Sequence, residues 1–240
     1  MTYTDLNMEL SEEHEALKEA VNKFSTKVLR PASLKLDKMT PEEVIAPGSP
    51  YWDCMKQMYE LGYHTVHVSE ELGGMGLDPL GQHIFWEELA YGSAGFAISL
   101  GVSTFGPFMA SMLGDEAINE NYIKPFAECR DASILGCWGI TEPIRGSDSL
   151  LTHTEHFNNP KVLQQVRATK EGNHWLLNGQ KSAWVSNGTI ATMGMIHVNT
   201  DPSMGMAGGG IAIVDLTQKG VTRGKPLDKI GQRELPQGEI

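Results

Sequence analysis

The chain has 240 residues, and its 19 Lys and Arg against 30 Asp and Glu give a formal net charge of −11 at pH 7. Hydrophobic residues make up 40% and charged residues 20% of the chain, which is typical of a folded globular protein and not of a disordered one. The acidic balance argues against non-specific nucleic-acid binding, because such binding requires a basic surface that releases counterions from phosphate.

The three cysteines, Cys54, Cys129 and Cys137, form no CxxC pair and no cluster with metal-ligand spacing. This pattern predicts free, mostly buried thiols in a reducing compartment, and no metal site. The first six residues lack the basic and apolar stretches of a signal peptide. We therefore expect a cytoplasmic protein.

The first half of the chain is predicted to be helical. Ser11 is a suitable N-cap for a helix whose apolar residues recur at helical spacing until Arg30-Pro31 ends it. Two further helices are predicted at Ser49–Gly62 and Asp78–Gly92, because each begins with a capping residue followed by proline and ends at glycine. A last helix opens at Asp115.

The segment from Tyr91 to Gly114 carries no charge and is long enough to span a bilayer. Its glycines, its serines and Pro107 make it too polar and too broken for a lipid-facing helix. We therefore expect one or two buried helices and no integral membrane segment. With its neighbours, this segment predicts an all-α bundle over residues 1–130.

From about Ser133 the chain changes to short runs of strand character, which predict a β domain over residues 131–240. The predicted strands are Ile134–Ile140, Val162–Ala168, His174–Leu177, Ala183–Val185, Met193–Val198 and Ile211–Val214. Asn178-Gly179 is a strong hairpin signal. The expected fold class is α+β, with an antiparallel barrel or sandwich after the helical bundle.

Several common catalytic motifs are absent. The stretch from Gly74 to Pro79 starts like a dinucleotide-binding fingerprint, but proline stands in place of the third glycine and no βαβ pattern surrounds it. No phosphate-binding GxxxxGK[ST] loop or GxSxG nucleophile motif is present, and the histidines lack the spacing of a zinc hydrolase site. The metal prediction is therefore none.

Two polar segments of the β half combine a tryptophan, a nearby hydroxyl and a close glycine. The first segment is Trp138–Asp148 and the second segment is Asn178–Gly188. A flat heteroaromatic cofactor needs such a set, because an indole face can stack on it while hydroxyl and backbone N–H groups bind its polar ring atoms. The same composition also fits two ordinary turns beside a core tryptophan, and composition leaves both interpretations open.

These two segments resemble the signature segments of the acyl-CoA dehydrogenase flavoprotein family. The resemblance extends along nearly the whole chain, through Val68–Leu77, Glu87–Ala90, Leu113–Glu116 and Lys229–Arg233 in the family's order. It implies FAD as the cofactor, with five residues lining the isoalloxazine: Trp138, Ile140 and Thr141 on one side, and Trp184 and Ser186 on the other. It also implies Ser147 and Arg233 as substrate-binding residues.

The resemblance implies α,β-dehydrogenation of an acyl-CoA thioester. In that chemistry the α proton is removed, a hydride passes from the β carbon to flavin N5, and the electrons go on to an electron-transfer flavoprotein. The family's C-terminal four-helix bundle carries the catalytic glutamate and builds the homodimer or homotetramer. That bundle is absent from this chain, so the catalytic base is expected beyond Ile240.

Departures from the family pattern limit what the resemblance implies. Arg145 stands where a small residue is usual, and we expect it to form a salt bridge in preference to binding substrate. Glu234 and the residues after it lack the hydroxyls that often follow Arg233 and help to hold phosphates. The polar stretch from Ser149 to Gln165 is expected to be an insertion between two strands.

Glu142 and Asp148 are expected to be structural rather than catalytic. Two alternatives to a dehydrogenase stay open at this point. One is an acyl-CoA oxidase or flavin monooxygenase on the same fold, and the other is a non-catalytic fragment that acts as a binding or assembly subunit.

Overall fold

A computed structural model describes residues 10–240 of the chain. Residues 1–9, on which the prediction of no signal peptide rests, lie outside the described residues. The α-helices are α1 (Glu12–Phe24), α2 (Arg30–Leu36), α3 (Pro41–Ile45), α4 (Pro50–Glu60), α5 (Pro79–Gly92), α6 (Ala94–Ser111), α7 (Glu116–Ile118) and α8 (Lys124–Glu128). The strands are β1 (Gly136–Gly139), β2 (Arg167–Glu171), β3 (His174–Asn178), β4 (Met193–Asn199) and β5 (Gly209–Asp215).

The predicted start of the first helix is confirmed, but its predicted end is wrong. Ser11 caps α1, since its Oγ accepts the backbone N–H of His14 at 3.2 Å. The helical run does not end at Arg30-Pro31, because a π-helical turn at Ser25–Leu29 leads directly into α2. Pro31 is tolerated because it lies in the first turn of α2, where a missing N–H costs little.

The predicted cap-proline starts at Ser49 and Asp78 are both confirmed. The Ser49 side chain accepts the N–H of Tyr51, and the Asp78 carboxylate accepts the N–H of Gly81 at 2.6 Å. Helix α4 ends before Gly62, whose φ of 74° is left-handed. These local signals were sufficient because capping depends on residues within one turn of the helix end.

The uncharged segment forms α6, an 18-residue helix capped by Ser93. In length and composition α6 could cross a membrane, but more than half of its residues are buried within the protein. Its buried residues include Phe96 and Leu100, which belong to the main core of the helical half. The structure thus uses α6 as a core helix.

The predicted β domain is present, but its sheet is mixed and open where an antiparallel barrel or sandwich was expected. Strand β4 is its centre: it pairs in parallel with β1, in parallel with the start of β2, and antiparallel with the whole of β5. Strands β2 and β3 form an antiparallel hairpin. Parallel pairing brings together segments that are distant in the chain, so local sequence patterns do not indicate it.

Three strand predictions are wrong in detail. The hairpin turn lies at Gly172-Asn173, where Gly172 has a left-handed φ of 61°, and not at Asn178-Gly179. Residues Ala183–Val185 form no strand, and in the predicted Val162–Ala168 run only the last residues belong to β2. The irregular stretch before β2 is the expected insertion between two strands.

Helix α6 packs directly on the sheet at two glycines, Gly136 of β1 and Gly106 of α6. A Cβ on Gly136 of β1 would lie 2.5 Å from the carbonyl oxygen of Ser103, and one on Gly106 would lie 2.2 Å from Met195 Cγ. A side chain at Gly136 would need the backbone of α6 to move, and one at Gly106 would need the Met195 side chain to move. The helical half and the sheet are therefore in close contact along α6.

The buried side chain of Asn187 joins this helix to the sheet. Its Nδ2 donates to the carbonyl oxygens of Ser99 (2.8 Å) and Gly136 (3.2 Å), and its Oδ1 accepts the Ser99 hydroxyl at 2.8 Å. Because the Ser99 proton is used in this way, the Tyr51 hydroxyl must donate to Ser99 Oγ at 2.8 Å. One side chain thus connects α4, α6, β1 and the second segment.

We expect Asn187→Ala to destabilise the fold by about 2–4 kcal/mol, because it removes the buried hydrogen bonds of the amide with the Ser99 hydroxyl and with the carbonyls of Ser99 and Gly136. Asn187→Gly should have a similar effect, although it retains the left-handed backbone that Asn187 adopts at φ 61°. Urea unfolding curves give the free energy in each case.

The matched control is Asn121→Ala, because Asn121 is exposed and bonds only the carbonyl of Ala117 within the described residues. Its effect should stay within about 0.5 kcal/mol. Equal losses at Asn187 and Asn121 would contradict the assigned role of the buried amide.

Candidate functional site

The fold brings the first and second segments into contact. The first segment begins in β1 and the second at the end of β3, and the backbone N–H of Ser182 donates to the carbonyl of Thr141 at 3.1 Å. The Lys181 ammonium also donates to the carbonyl of Ile140 at 3.2 Å. The two stretches that the sequence singled out therefore form one surface of the β domain.

In the first segment, Trp138 is half-buried and held from two sides. Its ring meets Phe105 of α6 edge-on at 4.6 Å between centroids and His197 of β4 at 5.0 Å. Ile140 and Thr141 follow it and are also partly exposed. The helix and the sheet together fix the direction of this indole.

In the second segment, Trp184 is 63% exposed, a large fraction for an indole in a folded domain. Gln237 holds the backbone beneath it, because its Nε2 donates to the Trp184 carbonyl (3.1 Å) and to Ser186 Oγ (3.0 Å). The segment thus presents an open aromatic face on a fixed backbone.

A buried ion pair lies between the segments. Lys181 Nζ and Glu142 Oε1 are 2.7 Å apart, and the two residues are 1% and 3% exposed. Burial lowers the pKa of the Lys181 ammonium, and the hydrogen bond and charge of Glu142 oppose that shift. Glu142 is fully engaged within the fold, as expected for a structural residue.

Arg145 and Asp148 are paired at the end of the first segment, as the sequence predicts for Arg145. Arg145 Nη1 lies 3.4 Å from Asp148 Oδ2, and the guanidinium also reaches the carbonyls of Lys161 and Leu163. The Asp148 carboxylate accepts the N–H of Gly146 at 2.8 Å. Arg145 thereby fastens the 149–165 insertion to the first segment.

The structure separates the two predicted substrate-binding residues. Ser147 is exposed and opens a short 3₁₀ turn directly after the first segment's glycine. Arg233 instead donates to the carbonyl of Met39 at 3.2 Å and pairs with Asp228 at 2.8 Å. In residues 10–240 no hydrogen bond or ion pair joins Arg233 to either segment.

Glu234 follows Arg233, where the family often has hydroxyl residues, and it makes contacts of a different kind. Its buried carboxylate accepts hydroxyl protons from Ser33 (2.9 Å) and from Ser93, the N-cap of α6. A carboxylate is favoured at a helix N-terminus by the helix dipole. Glu234 therefore anchors this part of the chain to the helical half, a role that the sequence did not indicate.

Sequence reasoning also missed Asn187 and the pairing of Lys181 with Glu142. The only available signal was that the first segment holds few acids and the second a single lysine. Such a signal is too weak to predict a buried pair, because most lysines and glutamates stay solvated.

Two buried histidines are held neutral. Burial lowers the pKa of His64 to about 4 and that of His197 to about 4, and for His197 the nearby Lys181 charge adds to the effect. His64 stacks on Tyr59 and its Nε2–H donates to the carbonyl of Phe126 at 3.0 Å. His197 therefore presents a neutral ring to Trp138.

These side chains suit a flat, polar-edged aromatic group. Trp184 offers an open indole face, and Thr141 and Ser186 are partly exposed hydroxyl residues on the two joined segments. Phe105, which contacts Trp138, and Ile144 of the first segment are exposed apolar side chains. The residues present therefore fit a flavin-like ring.

Comparison with known proteins identifies the family. The profile of the acyl-CoA dehydrogenase N-terminal domain matches residues 11–130, and that of the acyl-CoA dehydrogenase middle domain matches residues 137–240. The chain belongs to the acyl-CoA dehydrogenase family. This confirms the resemblance, and FAD is the cofactor of the enzymes in this family.

The similarity to individual acyl-CoA dehydrogenases extends over almost the whole chain. The mitochondrial short-chain specific acyl-CoA dehydrogenase of Rattus norvegicus is 32% identical over 230 residues, which are 95% of this chain and 50% of that protein. The solved glutaryl-CoA dehydrogenase complex with glutaryl-CoA has a TM-score of 0.79 and 29% identity, over 98% of this chain and 54% of the other.

A solved chain from the electron transferring flavoprotein study of Acidaminococcus fermentans has a TM-score of 0.78 and 26% identity, over 98% of this chain and 56% of the other. The chain thus spans about half the length of the relatives it matches. These matches confirm the predicted fold.

We expect the chain to lose stability as the pH falls from about 6.5 to about 4. In that window unfolded histidines take up protons, whereas His64 and His197 stay neutral in the fold, so the unfolded state is favoured. Each contributes a slope of up to about 1.4 kcal/mol per pH unit. Urea unfolding at a series of pH values measures the slope.

His197→Gln should make the slope shallower, and His83→Gln is the control because its side chain is 74% exposed. An identical slope in both variants, or an NMR titration of His197 near pH 6.5, would contradict the assignment of a neutral buried ring.

Proposed function

We propose that the protein carrying this chain dehydrogenates an acyl-CoA thioester between its α and β carbons, with FAD bound on the surface formed by the two segments. The observation that carries the proposal is that Trp138 and Trp184 stand with the hydroxyls of Thr141 and Ser186 on segments bonded to each other. Family membership supports the reaction class.

In this proposal, Trp138, Ile140 and Thr141 contact one part of the flavin, and Trp184 and Ser186 contact another. The bound flavin supplies a two-electron acceptor for hydride. The protein's own contribution is to orient the ring with fixed indoles and to offer hydroxyl donors where negative charge develops. In the same proposal, Ser147, an exposed residue of the first segment, meets the thioester end of the substrate.

The carboxylates of the first segment are poor candidates for the base that removes the α proton. Glu142 is buried in its ion pair with Lys181, and Asp148 is held by Arg145 and the N–H of Gly146. A general base must reach the substrate proton with a free oxygen. We therefore propose that the base lies beyond Ile240.

The partners follow from the same proposal. An electron-transfer flavoprotein would take up the electrons, and a homodimer or homotetramer would form through the part of the protein that follows this chain. A cytoplasmic location stays a prediction from the sequence.

We expect Thr141→Ala combined with Ser186→Ala to weaken FAD binding or slow flavin reduction by about 10- to 30-fold, because each lost hydrogen bond costs about 1 kcal/mol. The measurement is anaerobic reduction of the bound flavin by butyryl-CoA, monitored as the loss of the flavin's visible absorbance.

The control is Ser203→Ala combined with Thr217→Ala, because these hydroxyls bond only exposed aspartates in turns of the same domain. Unchanged cofactor content and reduction rate in the Thr141 and Ser186 double variant would overturn these contacts. A wild-type protein that binds no FAD would overturn the proposed function.

A further inference from the structure

We propose that the buried ion pair of Glu142 and Lys181 is a positioning device that holds the two flavin-lining segments at the separation FAD requires. The inference rests on the proposed function, since it assigns a role in flavin binding to residues that do not touch the flavin. Its structural basis is independent of that function.

The Lys181 ammonium uses all three of its protons within the cluster. It donates to Glu142 Oε1 at 2.7 Å, to Gln164 Oε1 at 3.0 Å and to the carbonyl of Ile140 at 3.2 Å. An ammonium with three acceptors is fully satisfied. The second segment is thereby tied to two points of the first segment and to the end of the insertion.

The Glu142 carboxylate connects the cluster to the start of β2. Its Oε1 also accepts the N–H of Val166 at 2.9 Å, and its Oε2 accepts the N–H of Gln165 at 2.6 Å. Charged hydrogen bonds of this kind are short and directional. Glu142 therefore fixes where the insertion returns to the sheet, directly behind the first segment.

The backbone alone holds the segments together weakly. In the part of the chain that the structure describes, a single backbone hydrogen bond joins them, from the N–H of Ser182 to the carbonyl of Thr141. No strand ladder sets their register, because Ala183–Val185 forms no strand. The separation between Trp138 and Trp184 thus depends on side chains. The ion pair joins the two segments directly, and the Asn187 amide holds the end of the second segment to β1 and α6.

A buried ion pair is a poor device for stability alone. Removing two charges from water costs free energy that their attraction often fails to recover, and well-packed apolar residues of similar volume frequently serve as well. What a fully bonded pair supplies is a fixed geometry, since any other arrangement leaves a charge unpaired in the interior. A ligand held between two segments needs such a fixed geometry.

The test uses the protein expressed from its complete reading frame, with FAD as the probe. Glu142→Gln and Lys181→Met should each raise the FAD dissociation constant at least about ten-fold, since a displacement near 1 Å is enough for losses of that size. The flavin absorption maximum should shift, which reports a changed ring environment. Gln164→Leu removes only one acceptor of Lys181 and gives a milder variant if the others fail to fold.

The second readout needs no flavin. Hydrogen exchange at the amides of Gln165 and Val166, which donate to Glu142, should accelerate at least about ten-fold in Glu142→Gln. Amides within the β4–β5 ladder should exchange at the wild-type rate. This readout reports on the hydrogen bonds of the ion pair itself.

Two controls separate positioning from stability. Val198→Ala removes buried volume from the same sheet, where Val198 is 3% exposed, and should lower the melting temperature with FAD affinity unchanged. Lys56→Met removes a partner from the exposed Lys56–Glu60 pair of α4 and should change neither quantity.

The inference would be overturned, with the proposed function intact, if FAD affinity and the flavin spectrum changed in proportion to the loss of stability in every variant, Val198→Ala included. Wild-type exchange at Gln165 and Val166 in Glu142→Gln would overturn it as well. Failure of the wild-type protein to bind FAD would instead overturn the proposed function, and this inference with it.

Discussion

The second segment owes its place to the amide of Asn187, which bonds α6 through Ser99 and β1 through Gly136. Because α6 also packs closely on the sheet at Gly136 and Gly106, the helical half and the sheet together support the segment. Trp138, packed between Phe105 and His197, depends on the same contact of helix and sheet.

The helical half could be predicted from the sequence because its signals are local. Ser11, Ser49 and Asp78 each bond a backbone N–H within three residues, so the capping pattern is visible in the chain itself. The failure at Pro31 follows from the π-helical turn before it, which restarts the helix and has no simple sequence signature.

The β half was predicted less well because its pairing is non-local. Strands β1 and β4 are more than fifty residues apart in the chain, and their parallel register leaves no hairpin signal. The two segments were found, and the assignment of Arg233 to substrate binding stays a prediction, since its partners in the described chain are Met39 and Asp228. The Glu142–Lys181 pair exists only in the folded protein and had no local pattern to indicate it.

The central claim is that FAD lies against Trp184, and fluorescence quenching tests it most directly. Trp175 of β3 provides the comparison, since it is 52% exposed and Trp184 is 63% exposed in the same domain. FAD titrated into the wild-type protein and into Trp175→Leu should quench much of the tryptophan emission, whereas Trp184→Leu should lose most of that quenching and bind FAD more weakly. Equal quenching and equal affinity in the two variants would contradict the account.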